Sequence, residues 1–228
     1  VITIIPVILV MFQPDMGSAL LILGLWFLLL ITLGARLRYV LFLVGCGLLI
    51  IALSWFFLLK NYQKDRFLTF LDATRDPLGR GYNVSQSVIA VGSGGLKGRG
   101  LGFGSQSQLR FLPEMQTDFI FAMIAEEFGF VGTGLIILLS GIVLVRLFLL
   151  ALSARDDFAF CVIVGTLILL AEQFFVNMGM NIGLLPVTGI PLPFVSAGGS
   201  SMIMNFLLIG VVQSLVHARR AEVNVMFL

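Results

Sequence analysis

Long apolar runs dominate this chain, and each is close to the length a lipid bilayer demands. A hydrocarbon core needs about 20 apolar residues per helix. Gly17 to Leu33, Tyr39 to Leu59, Asp118 to Leu150, Phe158 to Met180 and Ser201 to Val216 approach or exceed that length, and Val1 to Phe12 reads as a clipped span. Composition agrees: 59% of the 228 residues are hydrophobic and 11% are charged, where a soluble domain carries about 25% charged residues. The pattern predicts an all-α polytopic membrane protein, a single membrane domain over residues 1–228 with about six transmembrane helices.

A net charge of +2 is too small for a nucleic-acid footprint. Cys46 and Cys161 lie far apart inside apolar runs, without metal-ligand or redox spacing, and read as small buried hydrophobes. The chain opens at Val1 with no basic n-region, which predicts a fragment rather than a signal peptide. Arg36 and Arg38, Arg146 and Arg155, and Arg219 and Arg220 fall on one side by alternation, which the positive-inside rule makes cytoplasmic. Residues 60–117 then form one large extracellular loop between the third and fourth spans. Its many Lys and Arg oppose that assignment, but the rule weakens as loops approach about 60 residues.

Polar residues at membrane depth are costly and often functional. Asp15, Glu126, Glu127, Glu172, Asn177, Asn181 and Asn205 all qualify; the alternative is hydrogen bonding between helices. Glu126 and Glu127 read as buried, paired groups that hold the bundle. Asp15, in Gln13-Pro14-Asp15-Met16-Gly17-Ser18, either caps the following helix or faces a polar cavity. Gly92 to Gly104 is rich in glycine, which lets backbone amides approach an anion, and Lys97 and Arg99 could add charge-assisted contacts to phosphate. A flexible surface loop is the alternative there. No Walker loop or dinucleotide fingerprint is present. Upstream, Val84, Val88 and Val91 suit a helix lying in the interface plane.

Two carboxylates, Glu114 and Asp118, stand at the mouth of a membrane helix. Thr117 can cap that helix, and Asp118 at its N-terminus is favoured in the ionised form by the helix dipole. Such a carboxylate suits general-base work on a sugar hydroxyl, or it merely caps. Pro186 to Ser201 cannot be a continuous helix. Irregular backbone at membrane depth is tolerated where it is buried or lines a cavity, so this segment is expected to border the substrate.

Taken together, QPDMGSA (Gln13–Ala19), DPLGRGYNVSQS (Asp76–Ser87), the glycine loop through TDFIFA (Gly92–Ala122), EEFGFVG (Glu126–Gly132) and LLPVTGIPLPFVSAGGSS (Leu184–Ser201) resemble the RodA/FtsW (SEDS) family of cell-wall polymerases, closer to the RodA branch. The resemblance implies the last six helices of a ten-helix fold. It also implies a peptidoglycan glycosyltransferase that polymerises lipid II at the outer face of the bacterial cytoplasmic membrane during elongation, partnered by a class B penicillin-binding protein. The family's essential aspartate falls on Asp118. Substrate contacts fall to Asp15, Lys97, Arg99, Glu114, Gln116, Ser196 and Ser200. Two positions depart from the family pattern: Gln116 stands where His is usual, and Ala197 where Tyr is usual. Lys97 and Arg99, or a divalent cation (Mg or Mn), would steady the pyrophosphate, although no cluster with ligand spacing marks a metal site. A lipid II flippase and a non-catalytic scaffold that activates a transpeptidase are the competing readings.

Overall fold

The computed structural model describes residues 3–13, 15–57, 64, 68–69, 80–108 and 116–226. The described residues are helical: α1 (Ile4–Phe12), α2 (Met16–Thr32), α3 (Leu37–Phe57), α4 (Arg80–Ser93), α5 (Ser105–Gln108), α6 (Ile120–Leu152), α7 (Asp157–Asn181) and α8 (Gly199–Met226). Among them, α6, α7 and the Gly199–His217 part of α8 are long and apolar enough to cross a membrane, while α2 and the Leu37–Ile50 part of α3 are shorter apolar helices. The nine residues of α1 rise only about 13 Å, so α1 does not complete a span.

The core lies where α6 and α7 pack, with Phe121, Leu147, Ile163, Ile168, Leu170 and Phe174 buried, and α8 adds Val212. Glycine brings α2 in close: a side chain at Gly24 would collide with the Glu172 carboxylate of α7. The helices alternate in direction, so the N-termini of α2, α6 and α8 and the C-terminus of α7 gather at one end of the bundle. The turns holding Arg36 and Arg155 lie at the other.

One local expectation is corrected. Helix α6 begins at Ile120 with Phe119 as its N-cap, so Thr117 does not hold the N-cap position. The helix carrying Val84, Val88 and Val91 forms as α4 and packs beside the first turns of α6. Its Ala90 packs on Phe119 and Ala122, and a side chain at Gly94 would meet Ala125. Thus α4 descends beside the first turns of α6 in the same direction.

The most unusual element is a splice in α6. At Gly129 the backbone leaves helical geometry (φ 66°, ψ −157°). An unbroken helix would bond the Phe130 and Val131 amides to the Glu126 and Glu127 carbonyls. Here the Arg99 and Gly100 amides donate to Glu126 O (2.9 Å) and Glu127 O (3.0 Å), while Phe130 N and Val131 N donate to Gly95 O (2.9 Å) and Leu96 O (3.2 Å). Two lost helical bonds are replaced by four to the glycine loop, so the interrupted backbone stays satisfied. The side chains reinforce the splice: Gln106 N donates to Glu126 Oε1 (2.9 Å) and Gly102 N to Glu127 Oε1 (3.2 Å). Glu126 and Glu127 are both buried.

Candidate active site at the Asp118 end

Three consecutive backbone carbonyls present Asp118. Gln116 O accepts from Ala197 N (2.8 Å). Thr117 O accepts from Ser196 Oγ (2.6 Å), and the same Oγ accepts from Leu192 N (2.8 Å). Asp118 O accepts from Asn177 Nδ2 (3.1 Å) and Asn181 Nδ2 (3.0 Å). The two asparagines stand one turn apart on α7 and are wholly buried. Asn177 Nδ2 also donates to Ile190 O (2.8 Å), and Asn181 Oδ1 accepts from Ala122 N (3.1 Å). Ser87 of α4 closes the cluster by donating to Asn181 O (2.8 Å). Buried amides with their hydrogen bonds made in this way fix a single arrangement.

The irregular segment 182–198 binds these parts together. Gly183 (φ 75°) ends α7, and Gly189 (φ 76°) lets the chain turn beside Asp118; a side chain there would sit 3.6 Å from Asp118 Oδ2. Phe194 holds a left-handed backbone (φ 63°), a strained state for a bulky residue. Its ring packs edge-on to Phe206 of α8 at 5.3 Å.

Asp15 caps α2: its carboxylate accepts from Ser18 N (3.0 Å) and Ser18 Oγ (2.6 Å). The cap touches the same segment, since a side chain at Gly17 would lie 2.6 Å from Thr188 O. Segment 182–198 therefore bridges the Asp15 turn and the Asp118 turn. Gln116 is exposed beside Asp118, and Ser200 is exposed in the first turn of α8. Ser196 is buried and committed to backbone bonds. Glu114 lies outside the described residues.

Lys97 and Arg99 are placed elsewhere. Their loop meets α6 at the Gly129 splice, nine residues from Ile120 and so about 13 Å along the axis. Arg99 Nε turns back to Ser93 O (3.4 Å). The structure does not bring these cations to the Asp118 turn. Among the described residues, no group of three His, Cys, Asp or Glu could hold a metal ion. A cavity of about 370 Å³ opens between α2, α7 and the segment, with Leu20, Glu172, Thr188 and Ile190 in its wall.

Asn177 and Asn181 do more than bond between helices: Asn181 Oδ1 meets Ala122 N of α6, and both side-chain amides also hold the Asp118 carbonyl. Their spacing of four residues, on the helix that leads into the irregular segment, is the signal that points to a paired clamp.

The family model FTSW_RODA_SPOVE, described as cell cycle protein, matches residues 1–221. The chain belongs to the FtsW/RodA/SpoVE family. It is 43% identical over 221 residues to peptidoglycan glycosyltransferase MrdB of Escherichia coli K12, covering 94% of this chain and 58% of that protein. It is 42% identical to stage V sporulation protein E of Bacillus subtilis, covering 90% of this chain and 55% of that protein. Among solved structures, a chain described under polymerization and crosslinking by a peptidoglycan synthase complex shares 40% identity at a TM-score of 0.74, covering 92% of this chain and 58% of that one. The rod shape determining protein RodA of Thermus thermophilus shares 30% identity at 0.59, covering 92% and 52%. The chain thus spans little more than half the length of these family members. The all-helical, multi-pass membrane architecture read from the sequence agrees with them.

Proposed function

We propose that the protein carrying this chain is a peptidoglycan glycosyltransferase that polymerises lipid II, with Asp118 as general base. The observation that carries this reading is the clamp on carbonyls 116–118, which fixes the backbone of a carboxylate at the end of a membrane helix. Relatives bearing the name peptidoglycan glycosyltransferase support it. In the proposed step the Asp118 carboxylate takes the proton of the acceptor sugar hydroxyl. That oxygen bonds to the donor's anomeric carbon, the bond from that carbon to the phosphate oxygen breaks, and the electron pair leaves on the lipid pyrophosphate. Direct displacement inverts the donor carbon. Pyrophosphate is a good enough leaving group that the second, acidic carboxylate of a glycoside hydrolase is not required.

Positive-inside placement of Arg36, Arg38 and Arg155 supports an Asp118 end outside the cytoplasmic membrane, with residues 60–117 on that side. A class B penicillin-binding protein is the proposed partner, in keeping with the synthase complex to which one structural relative belongs. Gathering of the Asp15, Asp118 and Ser196 elements at one end favours chemistry there over a transport path, which needs openings to both faces alternately. Proteoliposomes loaded with labelled lipid II separate the two readings. Glycan is expected without net transfer of lipid II between leaflets; transfer without glycan would establish the flippase instead.

Asn177→Leu is expected to leave Ile190 O without its partner and Asp118 O with one donor. Each unsatisfied buried carbonyl costs about 1–3 kcal/mol, and a reacting group misplaced by about 1 Å can cost roughly a hundredfold in rate. A lower melting temperature together with at least a tenfold slower polymerisation is expected, checked by thermal denaturation and lipid II turnover.

A further inference from the structure

The loop at the α6 splice has a face that the chemistry above does not use. On α6, Val131, Leu135, Leu138, Ile142, Val145 and Leu149 are each at least half exposed, and their alternating spacing of four and three residues makes one helical face. From Val131 to Leu152 the helix rises about 30 Å, the thickness of a hydrocarbon core, with exposed Arg146 about 9 Å from the Leu152 end, near enough for its long side chain to snorkel to the cytoplasmic interface. That face is the lipid-facing wall, and Val131 marks its upper boundary at the Asp118 end. The glycine loop is joined to this boundary by the Val131 N to Leu96 O bond. It extends the apolar wall sideways with Leu96, Leu101 and Phe103, which are 74%, 70% and 75% exposed. Lys97 and Arg99 are exposed between them.

We propose that residues 94–104 form a membrane-interface anchor, with Leu96, Leu101 and Phe103 dipping among the acyl chains and Lys97 and Arg99 meeting phospholipid headgroup phosphates. Three features of the structure support this. The patch continues the lipid-facing wall of α6, the length of α6 puts it at headgroup level, and its cations complement phosphate. Four backbone bonds make the loop rigid against α6, so the anchor fixes more than itself. Ile120 stands about 13 Å along the helix from Gly129, and Asp118 is therefore held at a set height above the bilayer surface, where sugars linked to a lipid headgroup would project.

The test uses the complete protein in nanodiscs, with every native cysteine replaced by serine, Cys46 and Cys161 among them, and a single cysteine at Leu101→Cys, Phe103→Cys or Gln116→Cys, each carrying an environment-sensitive fluorophore. At positions 101 and 103 the label is expected to be quenched by lipids with a spin label near the headgroup. Aqueous iodide should quench it several-fold less than it quenches the label at position 116. Equal iodide quenching at all three positions would overturn the anchor. So would labels shielded from both quenchers, because the patch would then be covered by protein. A second arm replaces Lys97 by Glu. It is expected to reduce lipid quenching at position 101 more in anionic than in zwitterionic discs. If it instead raises the KM for lipid II and leaves quenching unchanged, the phosphate it meets belongs to the substrate and the headgroup assignment fails.

Discussion

Asp118→Asn is expected to slow glycan formation by about 10²- to 10⁴-fold, the usual contribution of a general base, while leaving the melting temperature nearly unchanged. The two halves of this expectation come from different atoms. The side chain would lose its proton-accepting oxygen. The clamp holds the main chain, through Asn177 Nδ2 and Asn181 Nδ2 on Asp118 O and Ser196 Oγ on Thr117 O, and none of those bonds involves the carboxylate. A variant that lost activity because it had misfolded would melt early. Paired rate and melting measurements therefore tell a missing base from a missing structure.

Gly129→Ala is expected to be strongly destabilising for a single added methyl. The φ of 66° with ψ of −157° is a region open almost only to glycine, and occupying it otherwise costs about 1–3 kcal/mol. The added carbon would also run into Gly98 N and lie 2.7 Å from Leu96 O. Those are backbone atoms, and they cannot retreat without loosening the four bonds of the splice, each worth about 1 kcal/mol. A total loss of about 3–5 kcal/mol is expected, read as a fall of roughly 10 °C in melting temperature. Gly92→Ala supplies the contrast. That glycine lies in α4 with nothing within 4 Å of an added carbon, so alanine should be neutral or stabilising by up to about 1 kcal/mol through helix propensity. Equal effects at the two positions would mean that the splice does not exist in the folded protein.

Much of the architecture was legible because bilayer-length apolar runs leave little choice. The expected spans Gly17 to Leu33 and Phe158 to Met180 become Met16–Thr32 and Asp157–Asn181, within a residue at each end. The Asp15 cap was legible in part: capping was one of two readings of the Gln13–Ser18 turn, and the carboxylate does accept from Ser18 N. The splice was not. Glu126 to Gly132 reads as helix, because an isolated glycine such as Gly129 inside an apolar run is a tolerated defect and the replacement partners lie about 30 residues upstream in a loop. For the same reason the positions of Lys97 and Arg99 were hidden: a spacing of some 20 residues from Asp118 says nothing of distance until the loop is docked. Asn177 and Asn181 were visible as buried amides, but the Asp118 carbonyl they share belongs to a turn expected to be helical, and the Ile190 carbonyl to an irregular segment whose path the sequence does not give. Non-local hydrogen bonds to irregular backbone leave no periodic trace in a sequence.

The most direct test of the central claim is to give the purified complete protein lipid II as its only sugar source, in detergent, where transport has no meaning. The configuration of the newly formed glycosidic bond is then determined. Base-assisted direct displacement at the Asp118 site requires a polymer whose new bonds are inverted relative to the donor. No polymer, or bonds that retain the donor's configuration, would contradict it.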